Sequence, residues 1–306
     1  DVPVGLLLSG GLDSSIVAAL AAKGGSLTTI CMGFGDSDVD ERAHARRVAD
    51  HIGSRHTDVL ISPQQVKEEV QSAAWVFDDL FADWGTVSTR ILYRRCREMG
   101  IKAVLVGEGA DELFGGYEVF RQPPRLGLWS LFRLYQRYAG RRHGRLFGPF
   151  RAAMNDYLAV GHGDVFHAVR LFESRRQLPN QYVMKVDKAS MAESVEARAP
   201  YLDRRVAELA YRTPGAWLLR DGENKHLLRA LGRQTAGLHR GTQRPIDKHR
   251  GGAAGKLADA VRGAELAQDA RLPRLVIKKR RVEIEQDQPR RAACRVAELF
   301  PLFDPA

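Results

Sequence analysis

The sequence predicts an α/β fold: a doubly wound parallel sheet with added helical segments. Three observations carry that prediction. Short apolar runs of strand length recur at residues 4–8, 27–32, 56–61 and 102–106, helical spacings separate them, and two Gly- and acid-rich loops, 9–15 and 107–117, each follow a strand directly. Strands joined by helix-length segments imply βαβ crossovers and a sheet covered on both faces. Such sheets bind ligands beyond the carboxyl ends of their strands, which is where both loops fall.

Taken in order, residues 4–8 are an apolar run bounded by Pro3 and Ser9, the pattern of a fully buried parallel strand. Residues 14–23, SSIVAALAAK, are rich in helix formers, and Gly24-Gly25 supplies a stop. The run 27–32 reads as a second strand, and 40–52 places Ala43, Val48, Ala49 and Ile52 on one helical face. A third strand over 56–61 is followed by Ser62-Pro63, a cap and a first-turn proline, opening a helix to about Phe77. A helix over 87–99 closes at Gly100 before the strand 102–106. From about Phe120 the chain becomes Arg-rich, aromatic and helical, with Pro123-Pro124 at the boundary. Residues 1–120 are therefore expected to form an α/β core, and 121–306 the helical and C-terminal part of the same domain. Beyond about Gly237 the Gly-rich and basic stretches show no readable periodicity.

A chain of 306 residues with 44% hydrophobic content can bury a sizeable core. No apolar run has the length of a membrane span, and no basic, apolar, small-residue leader opens the chain, so a cytoplasmic location without membrane contact is expected. Cys31, Cys96 and Cys294 lie far apart, arguing for reduced packing thiols over a disulfide framework or zinc site. The net charge of +10 is local. Eight arginines and no acid lie between Arg121 and Arg151, and nine basic against three acidic residues lie between Arg271 and Arg295. Nucleic acid is accordingly not expected as a partner, although Trp129, Phe132, Tyr135, Tyr138, Phe147 and Phe150, interleaved with those arginines, keep an RNA-binding alternative open.

The loop Ser9-Gly10-Gly11-Leu12-Asp13-Ser14-Ser15 joins a strand to a helix, so its backbone N–H groups and the helix N-terminus favour phosphate oxygens. The usual Gly-Lys-Ser/Thr ending is missing and an acid stands where the helix begins. An anion beside phosphates requires a cation between them, which marks Asp13 as a magnesium ligand. The plain alternative is that Gly10-Gly11 turns the chain and Asp13 caps the helix. The second loop offers Asp111 and Glu112 at the same sheet edge. Two carboxylates from separate loops are the usual way of holding Mg²⁺ whose other ligands are substrate phosphates.

SGGLDSS resembles the pyrophosphate loop of the N-type ATP pyrophosphatases, whose fold is of the adenine nucleotide alpha hydrolase type. Residues 106–117, VGEGADELFGGY, resemble the signature of the synthetase domain of asparagine synthetases. KVDKASM at 185–191, EARAPYLD at 196–203 and NKHLLR at 224–229 follow in family order. The resemblance implies ATP and Mg²⁺ as cofactors, with Asp13 and Asp111 as metal-binding acids. Ser9, Gly10, Gly11 and Ser14 belong to the implied phosphate loop. Val106 and Gly107 match ATP-contacting positions, and Leu7 and Met32 fall where the family frames adenine, although both are equally expected as core strand residues. Glu108 matches the acid linked to the acyl-adenylate, and Lys225 the lysine that reaches the phosphates. Tyr117 is implied to be catalytic by likeness to a tyrosine of a related amide-forming branch, against a structural role after Gly-Gly. Glu112, Glu196 and Arg198 are candidates for orienting substrate; for Glu196, Arg198 and Asp203 a buried ion-pair network is the other reading, and Asp203 is expected to be structural.

The implied reaction is a two-step ligation. The β-carboxylate of aspartate, or a related carboxylate, attacks the α-phosphate of ATP, and ammonia then displaces AMP to leave an amide. The implied ammonia source is a glutaminase domain not contained in these residues, and a homodimer is kept open. The family's usual Lys-Gln-Gly-Phe-like segment is replaced by Gln243-Arg244-Pro245-Ile246-Asp247-Lys248, so relatives that close β-lactams or cyclise peptides remain alternatives. A tRNA-modifying pyrophosphatase and a non-catalytic family remnant are the further alternatives.

Overall fold

A computed structural model describes residues 2–35, 40–77, 83, 85–121, 128, 131–132 and 147–236. Its centre is a five-stranded, wholly parallel sheet in the order β3-β2-β1-β4-β5. The strands are β1 Val4–Leu7, β2 Thr28–Gly33, β3 Arg55–Leu60, β4 Ala103–Leu105 and β5 Glu196–Arg198. Four of these match the predicted apolar runs. The fifth comes from a motif that the sequence reading treated only as a site.

The two faces are covered separately, as a doubly wound sheet requires. Leu6 and Leu8 face one core with α1, Leu12–Ala21, α2, Arg42–Ile52, and the helix His226–Ala236. Ile30, Val104 and Val106 face the other core with α3, Pro63–Phe77, α4, Gly85–Glu98, and the helix Val183–Ala192. Alternation along β1, which sends Leu6 to one core and Leu7 to the other, follows from the two-residue period of a strand. Leu6, Ile16 and Ile30 are fully buried, and burial of each such side chain is worth about 1.5–3 kcal/mol.

Local signals read from sequence match the elements. Ser62 Oγ accepts from Gln65 N at 3.2 Å while Gln65 Oε1 accepts from Ser62 N at 2.8 Å, a reciprocal cap ahead of Pro63. Gly100, with φ +78°, ends the segment after α4. Cys31 and Cys96 are buried free thiols, whereas Cys294 lies outside the described residues. No helix among the described residues is long and apolar enough to cross a membrane. A third core unites Val119, Phe120, Met154, Tyr157 and Val169 of the helical region. Of the aromatic residues singled out there, Trp129, Tyr135 and Tyr138 lie outside the described residues. Phe132 packs against Phe147 and Phe150 with ring centroids 5.3 Å apart in both cases, so these three serve internal packing.

Candidate active site

Strand order reverses between β1 and β4, and the crevice at that switch point is where a doubly wound sheet admits a ligand. Both predicted loops border it. After β1, Gly10 turns at φ +74°, and a Cβ there would lie 2.5 Å from the backbone carbon of His44, so only glycine fits. Ser9 Oγ accepts from Gly11 N at 3.2 Å and lies 3.0 Å from Ser14 Oγ, closing the turn on itself. Gly11 occupies the N-cap of α1 and offers no side-chain partner to the first-turn amides. A ten-residue helix therefore presents orphan donors and the positive end of its dipole to the crevice. Asp13 does not cap α1; its carboxylate turns away to Lys225.

After β4, the short helix α5, Ala110–Phe114, is bracketed by Gly109 at φ +92° and Gly115 at φ +71°. Asp111 lies in its first turn. Lys225 joins the two loops: its Nζ donates to Asp13 Oδ2 at 2.5 Å and pairs with Asp111 Oδ1 at 2.7 Å, with only 4% of the side chain exposed. The lysine adopts a left-handed φ of +53°, an unusual backbone state for a residue with a side chain. Asn224 anchors that turn, its fully buried amide donating to Gly116 O at 2.9 Å and Tyr117 O at 3.0 Å. Gly116 fits no larger residue without moving the cluster, because a Cβ would lie 1.8 Å from Asp111 Oδ1 and 2.1 Å from Lys225 Cε. Tyr201 completes the support by donating to Asp13 O at 3.2 Å.

Two carboxylates share one ammonium in the crevice, and the Arg229 guanidinium adds a further pull on Asp13. Burial pushes the Asp13 carboxyl up, and Asp111 adds to that rise against the pull of Lys225. Burial alone would lower the Lys225 ammonium, but the two acids outweigh it and hold it above its ordinary value. Asp13 Oδ1 is buried with no hydrogen-bond partner. An unsatisfied carboxylate oxygen beside a second acid suits a hard divalent cation, so Asp13 and Asp111 fit the magnesium expected from sequence. Among the described residues no group of three or more His, Cys, Asp or Glu is placed to hold a metal ion by itself.

The other predicted residues divide. Gly107 packs against the first loop, since a Cβ there would lie 3.4 Å from Asp13 Cβ and Ser14 N, and Val106 is buried beside it. Leu7 and Met32 are partly buried against the core shared by α3 and α4. Glu108 is partly buried at the start of the second loop; desolvation raises its carboxyl, with Lys185 opposing. Lys185 itself donates to Asp83 Oδ2 at 3.0 Å. Glu112 points inward, 2% exposed, and accepts from Tyr117 Oη at 2.6 Å; burial pushes its carboxyl up to about 8. The Tyr117 ring stacks between Phe120 and Tyr182. Glu196 and Arg198 bond to each other at 2.9 Å on edge strand β5 with 58% and 47% of their side chains exposed, so they form a surface pair and not a buried network. Asp203 caps the helix Arg204–Arg212, accepting from Arg205 N at 2.9 Å, as expected.

Sequence reasoning missed Asn224, Gly116 and Tyr201 as parts of the site. Asn224 carried a signal only as the neighbour of Lys225, and Gly116 and Tyr201 only as members of longer motifs.

The family model described as asparagine synthase matches residues 1–239. Among curated proteins, asparagine synthetase [glutamine-hydrolyzing] 1 of Bacillus subtilis is 28% identical over 275 residues, covering 75% of this chain and 43% of that protein. Asparagine synthetase [glutamine-hydrolyzing] 3 of Arabidopsis thaliana is 36% identical over 137 residues, covering 40% of this chain and 23% of that one. The corresponding protein of Triphysaria versicolor is 28% identical over 226 residues, covering 69% and 31% respectively. The chain thus spans less than half the length of these relatives. A solved NMN synthetase from Francisella tularensis is similar at 15% identity and a TM-score of 0.30, covering 64% of this chain and 88% of that one, too weak a likeness to add to the sheet order itself. With the model match running from the first loop through the helix that follows Lys225, the chain belongs to the asparagine synthase family.

Proposed function

We propose that this chain is the synthetase half of a glutamine-dependent asparagine synthetase, forming an amide from the β-carboxylate of aspartate and releasing AMP and pyrophosphate from ATP. The observation that carries this reading is the meeting of Asp13, Asp111 and Lys225 at the switch point of the sheet, with distances of 2.5 and 2.7 Å. Family membership and the names of the relatives support it, and their greater length supports a glutaminase domain as the ammonia source.

The α1 amides and the Ser9–Ser14 turn receive the phosphates, while Leu7 and Met32, at the ends of β1 and β2, flank adenine. Gly107 lets the second loop pass close to the first, leaving Val106 and Gly107 against the nucleotide. Asp13 and Asp111 would hold Mg²⁺, which supplies screening of phosphate charge and stabilisation of the departing pyrophosphate. The substrate carboxylate oxygen attacks the α-phosphorus, the bond to pyrophosphate breaks, and β-aspartyl-AMP forms. Lys225 offsets the charge that builds on the α-phosphate and leaving group. Ammonia then attacks the acyl carbon, and AMP departs with the carboxylate oxygen. Glu108, raised by desolvation, takes the proton that the attacking nitrogen sheds.

Tyr117 and Glu112 support the second loop from behind, and Glu196 with Arg198 edges the acceptor side. Ammonium-supplied assays of pyrophosphate release from ATP test the reading: release dependent on aspartate is expected. Release with a different carboxylate only would place the chain among the β-lactam-forming or peptide-cyclising branches, and no release with any acid would overturn catalysis altogether.

A further inference from the structure

We infer that Lys225 is a resident counter-cation, holding Asp13 and Asp111 together and yielding that place when a divalent cation enters with ATP. This rests on the metal-site reading above and goes beyond it by assigning the same lysine a role before any nucleotide binds. Four observations carry it. The ammonium contacts one oxygen of each acid, at 2.5 and 2.7 Å, so it bridges the two loops, while the Arg229 guanidinium adds a weaker pull on Asp13 alone. Without it, the two adjacent acids, Asp13 with 21% and Asp111 with 36% of the side chain exposed, would repel each other. The lysine holds this position from a left-handed backbone, φ +53°, in a turn anchored by the buried Asn224 amide. Asp13 Oδ1 remains buried and unpartnered, so the lysine satisfies only half of that carboxylate.

A divalent cation held by Asp13 and Asp111 would compete with the ammonium for the charge of the same two carboxylates. Such a metal would weaken the hold of both acids on the ammonium, and the triphosphate that the metal accompanies would offer it a new counter-charge. A single exchange then moves a positive charge from the acids to the phosphates.

The test is Mn²⁺ binding followed by electron paramagnetic resonance, without nucleotide, in the wild type and in Lys225→Met. Removing a unit charge at contact distance is expected to tighten Mn²⁺ binding by about tenfold or more, and added Mn²⁺ should raise the thermal midpoint of the variant more than that of the wild type. Equal Mn²⁺ affinity in the two proteins would overturn the exchange. Asp13→Asn and Asp111→Asn, measured with Mn²⁺ and ATP together, separate that failure from failure of the metal reading, which falls if neither weakens binding. Should Lys225→Met fail to fold, Lys225→Met/Asp111→Asn restores the charge balance of the cluster and is expected to fold. If it too is unfolded, Lys225 serves packing and the inference is overturned.

Discussion

Replacing Gly116 by alanine is expected to disable the site while leaving the fold standing. The added methyl would lie 1.8 Å from Asp111 Oδ1 and 2.1 Å from Lys225 Cε, against 3.4 Å for ordinary contact. The two groups must therefore retreat by roughly 1.3–1.6 Å, which breaks the bridge that Lys225 makes between the loops. Both are ends of flexible side chains, so the backbone has no need to move. The expected stability loss is that of a typical single substitution, about 1 kcal/mol, or a thermal midpoint lower by about 2–4 °C. Misplacement of about 1 Å in a reacting constellation costs on the order of 100-fold, so kcat/KM for aspartate-dependent pyrophosphate release should fall by about that factor or more. Gly10→Ala is the contrasting variant. Its methyl would meet the backbone of His44 at 2.5 Å and of Ala45 at 2.7 Å from a φ of +74°, where nothing flexible gives way. Left-handed strain alone costs about 1–3 kcal/mol, and the approach of α2 adds to it, so this variant should lose stability first. Calorimetry and steady-state kinetics on the two proteins decide the matter. A Gly116→Ala enzyme within about twofold of the wild type in kcat/KM, or one less stable than Gly10→Ala, would refute the reasoning.

Three further outcomes follow from the same geometry. Tyr117→Phe removes the 2.6 Å donor to buried Glu112 and should cost about 1–3 kcal/mol by denaturant titration; a neutral result would place the pair in contact with water. Glu112 is raised from an ordinary 4.5 to about 8, so the native state binds the extra proton and its stabilising contribution is complete below pH 4.5 and lost as pH rises through 8. Glu112→Gln, which keeps an acceptor for Tyr117, should therefore flatten the fall in thermal midpoint across that window, and an unchanged slope would contradict the burial argument. Asp203→Ala should cost about 1 kcal/mol through the lost cap with kcat/KM unchanged; a large kinetic defect would give Asp203 a role in the site.

The strands β1 to β4 were legible because each is an apolar run flanked by turn residues. β5 was not, since Glu196-Ala197-Arg198 is three residues long, charged at both ends, and paired along one side only. Its two charged residues, two positions apart, necessarily point to one face, which is why they found each other and not separate targets. Asp13 and Asp111 could be linked through motif order, but their meeting with Lys225 depends on chain closure over 212 residues, which no local pattern encodes. Glu112 illustrates the limit of adjacency. On α5 neighbouring residues diverge by about 100°, so Asp111 meets Lys225 in the crevice while Glu112 turns inward to Tyr117.

The most direct test of the central claim follows an atom. Aspartate labelled with heavy oxygen in its β-carboxylate, incubated with the chain, ATP, magnesium and ammonium, should yield AMP carrying one labelled oxygen by mass spectrometry, because the carboxylate oxygen that attacks the α-phosphorus leaves with AMP. Unlabelled AMP formed at the same rate with or without aspartate would mean that water attacks the nucleotide, and would contradict the acyl-adenylate account.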